Sequence, residues 1–93
     1  PMDLTYGLEL TPGDFGNARF VEAITAIQAA CKRHKLSCGI FGYNAQMAAQ
    51  SLANGFDFAS IGSDISFLRD GVARAMATAN GEDPDGAAAR GGY

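Results

Sequence analysis

Apolar and polar positions alternate between two rhythms along this chain. From Ala18 to about Lys35, Phe20, Ala23, Ile24, Ile27 and Cys31 recur at three- and four-residue spacing, which predicts a helix with one core-facing stripe. Asn17 stands where an N-cap is needed, and Lys32, Arg33, His34 and Lys35 crowd the far end, where positive charge complements the helix dipole. Ser37 to Gly42 is short, apolar and bounded by glycine, and reads as a buried strand. Asn44 caps a second predicted helix, Ala45 to Asn54, with Gly55 at its C-terminal cap position. Phe56 to Ile61 reads as a second strand. After the Gly62-Ser63-Asp64 turn, a third helix is expected from Ile65 to about Ala79, with Leu68, Val72, Ala75, Met76 and Ala79 as its core face. Asp3 to Asn17 is rich in Gly, Pro and Asp, contains the turn signal Thr11-Pro12-Gly13-Asp14, and reads as a loop. From Asn80 onward Gly, Asp, Pro and Ala dominate, and a mobile tail over 80–93 is expected.

Helices alternating with continuous apolar strands imply α/β architecture with a parallel sheet. Two parallel strands alone leave two open edges, so more strands are expected from elsewhere. A (β/α)8 barrel has about 250 residues, roughly 30 per unit. In such a barrel residues 1–93 would form its C-terminal part: the loop after strand six, then helix six, strand seven, helix seven, strand eight and helix eight.

Composition narrows the functional classes. Hydrophobic residues are 47% and charged residues 18%, a balance that excludes wholesale disorder. The net charge of −3, with no basic stripe carrying interleaved aromatics, argues against nucleic acid as a partner. No apolar run approaches the roughly 20 residues of a membrane helix, so no membrane partner is expected. Cys31 and Cys38 are seven apart without metal-ligand spacing, and read as two buried thiols in a reducing compartment. The chain opens at Pro1, inside a recognisable motif, which points to a fragment of a longer protein.

That motif, Pro1-Met2-Asp3-Leu4-Thr5, resembles the G-P-x-D-L-S segment of the HpcH/HpaI aldolase family, which includes 4-hydroxy-2-oxoheptanedioate aldolase and 2-keto-3-deoxy sugar-acid aldolases. Phe20-Val21-Glu22-Ala23-Ile24 resembles the start of the following helix, and Gly39-Ile40-Phe41 the strand-seven G-I-L/F segment. Residues 54–65 (Asn54 through Gly62-Ser63-Asp64-Ile65) resemble the strand-eight signature G-x-x-F-V-A-V-G-x-D, and Gly91-Gly92-Tyr93 the terminal P-G-x-Y. The likeness spans nearly the whole chain, and its specificity lies in the order and spacing of the motifs. Tyr6 to Leu10, Cys38 and the longer tail Glu82-Asp83-Pro84-Asp85 depart from the family pattern.

The resemblance implies a cytoplasmic, homo-oligomeric (trimeric or hexameric) class II aldolase. Such an enzyme forms a pyruvate enolate on Mg2+, Mn2+ or Co2+ and adds it reversibly to an aldehyde. Asp3 would be a metal ligand, the Met2 backbone would contact the carboxylate of a pyruvate- or oxaloacetate-like keto acid, and Phe41 would line the substrate pocket. A hard divalent cation takes oxygen ligands and, as a Lewis acid, stabilises enolate charge. The family's metal Glu, catalytic His and enolate-stabilising Arg are expected upstream, so this chain by itself would be inactive. His34, in a basic helix end, reads as a solvated terminus.

Plainer readings stand beside these. Asp3 as a lone acid would be an Asx-turn residue. Asp64 reads as the N-cap of the third helix, and Ser63 could serve likewise. Tyr43 could border the pocket or a subunit contact. The stripe Leu68-Val72-Met76 reads as core. Two further functions are open on the same barrel: a CoA-ester or citrate-lyase β-like enzyme, or a macrophomate-synthase-like oxaloacetate decarboxylase. A third is a non-catalytic remnant serving as an assembly module.

Overall fold

A computed structural model describes residues 1–85 and divides the chain into two compact units, 1–61 and 62 onward. The first unit contains α1 (Met2–Gly7), α2 (Ala18–Arg33), β1 (Gly39–Ile40), α3 (Ala45–Ala53) and β2 (Phe58–Ala59). The second contains α4 (Asp64–Ala79). The fold is a small mixture of helices with a two-stranded sheet.

Local chemistry sets the helix boundaries. Asn17 accepts from the Arg19 amide at 2.9 Å and opens α2; Asn44 accepts from Met47 at 2.8 Å and opens α3. The four helices among the described residues close alike. The residue after the C-cap lies in the left-handed region, at Glu9 (φ 58°), Lys35 (φ 56°), Gly55 (φ 98°) and Gly81 (φ 82°). The amide beyond it then reaches back to the third-last helical carbonyl: Leu10 to Thr5, Leu36 to Cys31, Phe56 to Ser51 and Glu82 to Ala77, at 2.9–3.1 Å. This is the Schellman arrangement. Two of the four left-handed positions hold side chains where glycine fits best.

The first segment departs from the expected loop. Residues 2–7 form α1, and its Thr5 is fully buried. The Thr5 hydroxyl donates to the Met2 carbonyl at 2.5 Å and accepts from the Gly13 amide at 3.3 Å. It thereby ties the helix to the Thr11-Pro12-Gly13-Asp14 turn, which forms as expected, with Asp14 N–H donating to Thr11 C=O at 3.0 Å. A reading dominated by Gly, Pro and Asp misses one helical turn that is held from eight residues away.

The strands are parallel, with Gly39 opposite Phe58 and Ile40 opposite Ala59. Each is far shorter than the six-residue apolar runs suggest. Side chains take over the ladder at both ends. The Asp57 carboxylate accepts from Cys38 N–H at 2.8 Å while Asp57 N–H donates to Cys38 C=O at 2.8 Å. Past the strands, Ser60 Oγ accepts from Gly42 N–H at 2.9 Å and donates to Gly42 C=O at 3.0 Å. Glycine is required at Gly42, where a methyl group would strike the Ser60 carbonyl; at Gly39 a methyl group would displace the exposed Phe58 ring.

The buried apolar residues among those described are Phe20, Cys38, Ala48 and Phe56. Of the expected α2 stripe, only Phe20 is buried; Ala23, Ile24 and Cys31 are half-buried and Ile27 is exposed. Two short strands and one facing helix are too narrow to cover a sixteen-residue helix. Gln28 reaches from α2 to the Asn54 carbonyl at 3.1 Å and so caps the end of α3. Rings run from the core outward: Phe20 against Phe15 (5.2 Å), Phe15 stacked on Tyr43 (6.0 Å), and Tyr43 edge-on to Phe41 (5.0 Å).

In the second unit Ser63, not Asp64, caps α4. The Ser63 hydroxyl accepts from Ser66 N–H at 3.2 Å and Ser66 Oγ accepts from Ser63 N–H at 2.9 Å, a reciprocal capping box. Asp64 is the first helical residue, where its charge favours the helix N-terminus. The expected core face is exposed at Leu68, Val72, Ala75, Met76 and Ala79. Within its own unit α4 is accompanied, among the described residues, only by the turn after it, and a single helix cannot bury its own stripe. Arg74 makes a two-pronged ion pair with Asp85. Of the expected 80–93 tail, residues 86–93, with Gly91-Gly92-Tyr93, lie outside the described residues.

Candidate functional site

A cavity of about 480 Å³ is lined by Asp3 and Leu4 of α1, Ile24 and Ile27 of α2, and Gly39, Ile40 and Phe41 at β1. Pro1, Gly7 and Phe56 complete it. Asp3 carries the one ionisable side chain on this wall; the other side chains are apolar. Asp3 is in the first turn of α1 and its side chain is 98% exposed. Its Oδ1 accepts from the Leu4 amide at 2.9 Å and lies 3.5 Å from the Pro1 nitrogen. Phe41 follows β1 directly and is 47% exposed. It therefore stands at the C-terminal end of a parallel strand, the end at which open α/β sheets take ligands.

Asp3 and Phe41 are thus brought to one cavity although 38 positions separate them (41 − 3). Met2 is not on its wall: the Met2 thioether packs over Gly13. The Met2 N–H is in the first helical turn, where no intrahelical acceptor exists. Ser63 and Asp64 belong to the second unit, where they start α4. His34 is the exposed C-cap of α2.

A carboxylate at the rim of an apolar hollow can hold a cation against an aromatic wall. A hard divalent ion needs several oxygens, and Asp3 offers one carboxylate. Among the described residues no group of three His, Cys, Asp or Glu side chains could hold a metal. The residues present do not amount to a metal centre by themselves.

The other end of the strands carries chemistry that residue patterns did not flag. Cys31, Lys32, Lys35, Cys38 and Asp57 line a second cavity, of about 610 Å³. Cys38 is buried, whereas Cys31 is only half-buried, so the expectation of two buried thiols holds for Cys38 alone. Burial, a hydrogen bond with the Cys31 thiol, the field of that thiol and the Asp57 carboxylate together push the Cys38 thiol above its ordinary range. The signal that could have revealed Asp57 is its position: a lone acid interrupting an apolar run.

No helix among the described residues is long and apolar enough to cross a membrane. No protein-family model, curated protein or solved structure matches the chain.

Proposed function

We propose that this chain is the C-terminal part of a (β/α)8 barrel aldolase resembling the HpcH/HpaI family, a cytoplasmic homo-oligomer acting on hydroxy-oxo acids. The observation that carries the reading is the convergence of Asp3 and Phe41 on one cavity at the C-terminal end of a parallel strand. In this reading Asp3 contributes one oxygen donor toward Mg2+, Mn2+ or Co2+. Bound there, such an ion would supply Lewis-acid stabilisation of an enolate. The Met2 backbone N–H orients the keto-acid carboxylate without adding a titratable group. Phe41 excludes water from one side of the substrate. The remaining metal ligands and the catalytic base come from residues other than 1–93.

Mn2+ titration followed by amide NMR tests the assignment. Paramagnetic broadening should start at Asp3 and Leu4, extend to Phe41, strengthen with oxalate as an enolate mimic, and vanish in Asp3→Asn. Broadening that persists in Asp3→Asn, or centres on Asp83 and Asp85, would remove Asp3 from the metal's ligand set. The chain alone should release no pyruvate from a 4-hydroxy-2-oxo acid; measurable release would contradict a partial site.

A further inference from the structure

The cavity lined by Cys31 and Cys38 is separate from the Asp3 wall, and its thiol chemistry is independent of the aldolase reading. The Schellman turn at the end of α2 folds the chain back, so that Leu36 N–H bonds the Cys31 carbonyl at 2.9 Å. Two residues later Cys38 reaches the same cavity wall as Cys31, its thiol near enough to the Cys31 thiol to be influenced by it. Their accessibilities differ: Cys31 is half-buried, whereas Cys38 is 7% exposed. The Cys38 backbone is pinned on both its N–H and its C=O by Asp57. Lys32 and Lys35 on the same wall offer positive charge to an incoming anionic thiol reagent.

We propose that Cys31 and Cys38 form a reversible intramolecular disulfide with low-molecular-weight peptide disulfides, Cys31 being the entry thiol and Cys38 the resolving thiol. In the first step the Cys31 thiolate attacks one sulfur of the reagent; a mixed disulfide forms and one reagent thiol leaves with a proton. In the second step the Cys38 sulfur, losing its proton, attacks the Cys31 sulfur and expels the second reagent thiol. Two protein thiols are oxidised and one reagent disulfide is reduced to two thiols. Burial shields Cys38 from direct attack on the reagent, so it reacts once the mixed disulfide forms beside it on Cys31.

The test uses oxidised glutathione on the folded chain, read by intact mass and thiol alkylation. The wild type should lose two hydrogens, lose both free thiols and form no chain-to-chain disulfide. Cys38→Ser should stop as a glutathione adduct on Cys31. Cys31→Ser should leave Cys38 at least about tenfold slower to react than in urea, where burial is abolished. Circular dichroism confirms folding of each variant. A wild type that halts at the glutathione adduct, or links chain to chain, overturns the proposal. So does a Cys31→Ser variant whose Cys38 reacts equally fast folded and unfolded.

Discussion

Removing the Asp57 side chain should destabilise the first unit by breaking the bond that holds the start of β1. Cys38 N–H is buried at the start of β1, and its acceptor is the Asp57 carboxylate at 2.8 Å. Hydrogen bonds to charged groups contribute about 1.5–3 kcal/mol, and an orphaned buried donor costs about 1–3 kcal/mol. Asp57→Ala keeps the Asp57 N–H bond to the Cys38 carbonyl and loses only the side-chain half of the clamp. About 2 kcal/mol of destabilisation is therefore expected. Domains have roughly 0.05–0.15 kcal/mol of stability per residue, or about 3–9 kcal/mol for sixty residues, so that loss is roughly a fifth to two-thirds of the total. Asp57→Asn keeps a side-chain oxygen to accept from Cys38 and should cost about 1 kcal/mol or less. Urea unfolding monitored by circular dichroism measures both variants, with equal m-values as the check on a common two-state transition. Equal losses for Ala and Asn, or a loss under about 0.5 kcal/mol for Ala, would refute the view that the carboxylate substitutes for a ladder bond.

Local geometry and titration give two more expected outcomes. Lys35→Gly should stabilise the fold by about 0.5–1 kcal/mol in the same urea assay: a side chain in the left-handed region costs about 1–2 kcal/mol, partly offset by glycine's freer unfolded chain. Because the folded-state pKa of Cys38 is raised, its contribution to stability is fully present below the ordinary thiol pKa, and is lost as pH climbs from that value through the higher folded one. Unfolding midpoints should therefore fall in alkaline buffer, and Cys38→Ala should flatten that fall; an unchanged slope in the variant would count against the thiol as its source.

Short-range chemistry was legible in the residues. Asn17 and Asn44 identify helix starts because their side chains bond amides two and three positions on. Thr11 to Asp14 identifies a turn for the same reason of proximity, and Gly55 a helix end. The alternation of helices with apolar segments pointed to the parallel pairing of β1 and β2. Ser63 and Asp64 show the limit of such reading: both are good caps, and only the reciprocal bond with Ser66 decides between them.

The candidate site was legible in part. Asp3 and Phe41 could be named from motifs, but their common cavity depends on how α1 and β1 pack. Met2 shared the motif, yet its side chain settled on Gly13. By itself, the sequence determined the helices α2, α3 and α4, the turn that precedes α2, and the parallel run of the two strands, because each rests on bonds a few residues long or on a dominant apolar rhythm. Only tertiary structure decided that α1 is a helix with Thr5 buried in it, that Asp57 and Ser60 finish the ladder, that Cys38 lies against Cys31, and that the α4 stripe is exposed. Each of these turns on which distant group is near enough to bond, shield or cover the residue, and periodicity carries no record of distance in space.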